Sequence, residues 1–199
     1  MLESKVRRTF AISLFLFLSL GVTGIGASSK QGGNPPLAPP PSAVSFSQSA
    51  TKPLDPIQPA PEFSLRNVLG GEVNSKELKG KVVVVEFWAT WAAPSLAAIP
   101  EYNQLQKKLK SQGVEFLAVT YDSGTVQDVA LKLKQLQIEY PVVMGTPEIN
   151  QGFGGSPGYP TTFLVGKDWR VYRRILGSPP NKIPNLERDI LTLLAQPTN

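Results

Sequence analysis

The 199-residue sequence contains no cysteine and no histidine. Without cysteine there is no disulfide, no thiolate nucleophile, no iron–sulfur cluster and no zinc–sulfur site. Without histidine there is no imidazole base, no Ser/His/Asp triad and no histidine-held metal. These two absences remove most hydrolase and metalloenzyme chemistry, and no metal ligand set or cofactor motif takes its place. Long apolar runs are also scarce. The stretch Thr9 to Val22, behind the basic Lys5, Arg7 and Arg8, is the most apolar in the chain. It is shorter than the roughly 20 residues that cross a bilayer comfortably.

A basic start, a short apolar core and small residues at Gly24, Gly26 and Ala27 form the pattern of an export signal. Residues 1–26 are therefore expected to be a signal peptide, or a signal anchor that tethers the chain to a membrane. A lipoprotein is excluded, since acylation needs a cysteine. Export would place the protein in a bacterial periplasm or on the outer face of the cytoplasmic membrane. The net charge of +5 suits an anionic partner surface. Nucleic acid is not an expected partner, because no basic helix or stacking aromatic cluster accompanies the charge.

Residues 27–60 are rich in Pro, Ser, Gly and Ala and include Pro39-Pro40-Pro41. Such a stretch buries too little apolar surface to offset its ordering entropy and is expected to be a disordered tether. Globular patterning begins at Pro61 and runs to 196. The β-branched run Lys81 to Trp88 predicts a buried strand, followed by a helix opening at Pro94 and Ser95 and stopping at Gly113. Val114–Tyr121 predicts a strand, Val126–Leu136 a helix and Pro141–Val143 a brief strand. Thr161–Val165 and Arg170–Leu176 flank a Gly166–Trp169 turn and predict a hairpin, before a last helix over Ile183–Leu194. Strands alternating with helices, then a hairpin and a helix, imply a three-layer α/β domain. Gly152–Gly158 reads as a loop rather than a phosphate cradle, since it neither follows a convincing strand nor opens a helix.

The run Phe87-Trp88-Ala89-Thr90-Trp91-Ala92-Ala93-Pro94-Ser95 resembles the active-site segment of the TlpA/ResA-like thioredoxins. The resemblance extends through Ala60–Leu65, Leu78–Lys81, Ile99-Pro100 and Gly158–Val165. It implies a thioredoxin-like α/β/α fold with a mixed central sheet, thiol–disulfide oxidoreductase relatives and a cis peptide bond before Pro160. Ala92 and Ser95 stand where the family has its two cysteines, and Ala98 where several members carry a glutamate. As written, the chain cannot perform thiol–disulfide exchange. Ser95 has no base to activate it and is expected to satisfy backbone N–H groups near the helix start.

Glu86, six positions before Ala92, stands where true thioredoxins hold a buried aspartate. A carboxylate in such a strand is costly unless hydrogen-bonded, and burial would raise its pKa. It is either a relic or relay, or a strand residue whose head group reaches water through a small cavity. Trp91, Pro94, Tyr159 and Pro160 are the candidate peptide groove, where the family's resemblance implies addition of an extended strand. Lys167, Arg170, Arg173 and Arg174 on the hairpin either meet anionic headgroups or guard an edge with charge. Three functions fit: a redox-inactive module binding an envelope protein or extended peptide, an oxidoreductase whose cysteines were replaced by mutation, or a purely structural domain.

Overall fold

The structure is a computed structural model that describes residues 54–120 and 122–197. The expected signal segment 1–26 and most of the expected tether 27–60 lie outside the described residues. The chain contributes β1 (Gln58–Pro59), β2 (Ser64–Arg66), β3 (Glu72–Asn74), β4 (Val82–Phe87), α1 (Ala93–Leu109), β5 (Val114–Thr120) and α2 (Val126–Leu136). It continues with β6 (Val142–Met144), α3 (Pro147–Gly152), β7 (Thr161–Val165), β8 (Arg170–Leu176) and α4 (Lys182–Ala195).

Every residue of β4 is buried, as its unbroken β-branched run requires of a central strand. It pairs parallel with β5 and antiparallel with β7 in a mixed sheet of order β1-β8-β7-β4-β5-β6. Alternation divides β4 between two apolar layers. Val82, Val84 and Trp88 pack with Tyr102 and Leu105 of α1, Val129 of α2, and Leu186 and Ile190 of α4. Val83, Val85 and Phe87 pack on the opposite face with Phe63, Phe153, Phe163 and Trp169. Each side chain so enclosed stabilises the fold by roughly 1.5–3 kcal/mol relative to exposure. The result is a thioredoxin-like three-layer α/β domain.

Local chemistry fixes the ends of the elements. Helix α1 carries Pro94 in its first turn, where a missing N–H costs nothing. It tightens into a 3-10 turn at Lys110–Gln112, and Gly113 closes it in the left-handed conformation (φ 84°). Thr125 and Asp128 form a reciprocal capping box on α2. The 161–176 hairpin turns through Gly166–Trp169, with Gly166 N–H donating to Arg170 O at 2.9 Å.

Two expectations need correction. The strand Gln58–Pro59 lies inside the stretch expected to be a tether: it pairs antiparallel with β8, and Ala60 is already buried. Two residues are too few to leave a periodic signal. The Gly152–Gly158 loop also begins inside α3, which Thr146 caps, and its Phe153 is 1% exposed in the core. At the other end of the domain Gln196 Nε2 donates to Leu54 O (3.1 Å), and Lys167 Nζ donates to Leu194 O (2.7 Å) and Gln196 O (3.3 Å).

Candidate functional site

Beyond Phe87 the chain leaves β4 through Trp88–Trp91 and enters α1 at Ala93, behind Ala92. Trp88 N–H still bonds to Val119 O (3.1 Å), and Thr90 N–H bonds to Ser123 Oγ (3.0 Å), which holds the turn against β5. Ala92 occupies the cap position with no side-chain bond to give and is 5% exposed. Ser95 differs from its expected role. It is 1% exposed, and its Oγ has no hydrogen-bond partner among the described residues. The reason is helical phase: Ser95 lies four residues before Ile99 and seven before Tyr102, on the stripe that faces the core. Neither position therefore presents a nucleophile to solvent.

The surface above is aromatic. Trp91 is 64% exposed, and its ring meets Tyr159 edge-on with centroids 5.7 Å apart. Its Nε1–H donates to Asp122 O at 2.8 Å, which fixes the indole's orientation. The Tyr159–Pro160 peptide bond is cis. Pro160 itself is buried and gives its carbonyl to Gly177 N–H (2.8 Å), so Trp91 and Tyr159 supply the exposed surface of the candidate groove. Pro94 is exposed but also borders a different feature, a pocket between α1 and α4.

That pocket, about 410 Å³, is lined by Pro94, Ala98 and Glu101 of α1 and by Asn181, Lys182 and Pro184 around the start of α4. Lys182 is the residue sequence reasoning missed. Its side chain is 5% exposed, and Nζ donates to Gly177 O (3.1 Å) and lies 5.5 Å from the Tyr102 ring centroid. Glu86 Oε1 is 4.0 Å away, beyond hydrogen-bond reach, and has no hydrogen-bond partner among the described residues. The Glu86 side chain is 4% exposed, so its head group does not reach water in the way a strand residue over a small cavity would.

Burial therefore dominates its titration: desolvation pushes Glu86 from 4.5 up to about 8, against the opposing pull of Lys182. Burial in turn holds Lys182 below its ordinary value, with Glu86 and Glu101 acting in the other direction. Tyr102, which shares a hydrogen bond with Thr162 Oγ1 (3.1 Å) across from Glu86, is raised by burial and then by the carboxylate. Glu86 can hold a proton near neutral pH, but no thiol stands at Ala92 or Ser95 to exchange it with.

The hairpin cations are mostly spoken for within the fold. Lys167 binds the last carbonyls of α4, Arg173 pairs with Asp189 (2.9 Å), and Arg174 donates to Gly155 O (2.6 Å). Strand β8 is covered by β1 only at Arg170 and Val171.

Residues 56–174 match the AhpC/TSA family. The chain is 35% identical over 120 residues to the thiol-disulfide oxidoreductase ResA of Bacillus thuringiensis (strain Al Hakam), covering 59% of this chain and 68% of that protein. It is 33% identical over 120 residues to ResA of Bacillus subtilis (strain 168), covering 60% of this chain and 66% of that one. Among solved structures it is similar to a thiol:disulfide interchange protein of the thioredoxin family from Chlorobium tepidum TLS. That similarity has a TM-score of 0.63 and 34% identity over 71% of this chain and 98% of the other.

Proposed function

The chain belongs to the AhpC/TSA family, and from that premise we propose that it is a redox-inactive, ResA-like member that binds an extended peptide or protein segment without forming a covalent bond. The observation that carries this reading is the exposed Trp91 set edge-on against the half-buried Tyr159, beside two positions, Ala92 and Ser95, that hold no thiol. An indole pinned by Asp122 O loses little freedom on binding, so its apolar area contributes to affinity with a small ordering cost. Burial of a large exposed apolar side chain at an interface centre is typical of the residues that dominate binding. We place the protein outside the cytoplasm on the strength of its N-terminal basic and apolar segment, with an envelope protein as the natural partner.

The test measures binding of a panel of fluorescently labelled extended peptides by anisotropy. Trp91→Glu and Tyr159→Glu should each weaken peptide binding by about tenfold or more while leaving the unfolding midpoint near that of the wild type. Unchanged affinity in both variants would remove the groove as a binding site. In parallel, Ala92→Cys with Ser95→Cys should give measurable disulfide reductase activity where the natural chain gives none. Turnover by the natural chain would overturn redox inactivity.

A further inference from the structure

We infer that the pocket between α1 and α4 is a carboxylate-binding site in which the buried ammonium of Lys182 anchors the ligand.

The geometry begins with a cation in the wrong medium. Lys182 Nζ is buried, yet among the described residues it has one carbonyl within hydrogen-bond distance, that of Gly177, and the face of one ring. An ammonium can donate three hydrogen bonds, and removing it from water costs several kcal/mol unless charge and donors are matched. Glu86 does not match them: its near oxygen stops at 4.0 Å, and burial favours its neutral form at pH 7. A ligand carboxylate entering the pocket would supply the missing countercharge at hydrogen-bonding distance, a charge-assisted bond of the stronger kind.

The pocket's other walls fit that group. Asn181 precedes α4 in the left-handed conformation (φ 60°) and gives no side-chain cap, and the first turn of α4 holds no acidic residue. The positive end of the helix thus adds to the field of Lys182. Pro94, Ala98 and Pro184 offer apolar surface for a short aliphatic stem. Glu101, exposed at the rim, works against an anion and sets a selectivity for ligands that hold their charge deep. The carboxylate is that of a free small acid or of an acidic side chain on a bound peptide. Only the second source rests on the peptide-binding reading.

The competition with Glu86 gives the site a pH dependence. The charged or titratable groups facing Glu86 are Tyr102 of α1, Tyr140 before β6 and Lys182 of α4, with Glu101 acting on Lys182 and Tyr102. As pH rises through about 8, Glu86 ionises and takes Lys182 as its own partner, so ligand affinity falls.

The experiment titrates the full chain with glutarate, and separately with acetylated extended peptides that carry or lack one glutamate, following backbone amides of Ala97, Ala98 and Ile183 by NMR. Saturable shifts with either probe are expected, weakened about tenfold or more in Lys182→Gln. Glutarate binding identifies a free-acid site, and glutamate-dependent peptide binding alone identifies a peptide-borne acid. Glu101→Gln, an exposed change that leaves the core intact, should tighten binding about threefold. In Glu86→Gln the loss of affinity through about pH 8 that Glu86 causes should vanish, leaving only the loss set by deprotonation of Lys182 itself. No shift with either probe, equal affinity in folded Lys182→Gln, or weaker binding in Glu101→Gln would overturn the assignment. Loss of peptide binding in Trp91→Glu with glutarate binding intact would count against the groove and leave the pocket standing.

Discussion

Replacing Glu86 by glutamine should make the protein more stable at neutral pH and leave it nearly unchanged in mild acid. In the folded state the carboxyl holds its proton until about pH 8, whereas in the unfolded chain it loses it near 4.5. Between those values the folded state binds one more proton than the unfolded state, so stability falls as pH rises, by about 1.4 kcal/mol for each unit. Below 4.5 both states are protonated and the slope is absent; above 8 both are ionised and the loss is complete. From 4.5 to 7 the sum is about 3 kcal/mol, and the whole window gives about 5 kcal/mol as a ceiling, since any approach of Lys182 reduces it. The amide of Glu86→Gln is neutral throughout, so its own packing cost is the same at every pH. Lys182, whose pKa burial lowers, adds stability as pH rises toward its unfolded value, and adds more in the variant, where Glu86 no longer raises it. Urea unfolding at pH 5, 6, 7 and 8 measures the difference. The variant should gain about 3 kcal/mol on the wild type between pH 5 and pH 7. Parallel curves, or a wild type that gains on the variant as pH rises, would refute the dominance of burial over the Lys182 pair.

Two further outcomes test the scaffold. Phe153→Ala removes a ring packed 5.6 Å from Phe87 and 5.2 Å from Phe163, and should cost about 3–5 kcal/mol in chemical unfolding. A cost near zero would mean that Gly152–Gly158 is not the core-anchored segment described above. Thr125→Ala breaks the capping box, in which Asp128 N–H reaches Thr125 Oγ1 at 3.2 Å, and should cost about 1 kcal/mol with no change in groove binding.

The features legible from sequence are those encoded by neighbours a few residues apart. Four consecutive valines from Val82 to Val85 announce a strand buried on both faces, Pro94 and Gly113 bracket a helix, and Gly166–Trp169 turns a hairpin. The inward face of Ser95 was also present in the sequence, in its four-residue spacing from Ile99, although the motif drew attention to its chemistry instead. The cation nearest Glu86 was not legible. Lys182 lies far along the chain on α4, after a Pro179-Pro180 turn, and only the packing of α4 against β4 brings its ammonium under the motif. The short elements β1 and α3 escaped because two and six residues are too few for a period to show. Tertiary hydrogen bonds, rather than propensity, hold them.

The bond from Gln196 to Leu54 and the grip of Lys167 on the end of α4 lie at the Val165 end of β7, whereas Thr161, at its other end, adjoins Pro160 and the aromatic surface. The domain is thus polar in the manner of a plug on a lead. Both ends of the described domain, Leu54 and Pro197, lie at one pole, and Trp91 is presented at the other. Whatever precedes Leu54, and whatever is fused beyond Pro197, attaches at the rear. A label or surface linkage joined directly at Leu54 or at Pro197 therefore starts from the pole opposite Trp91.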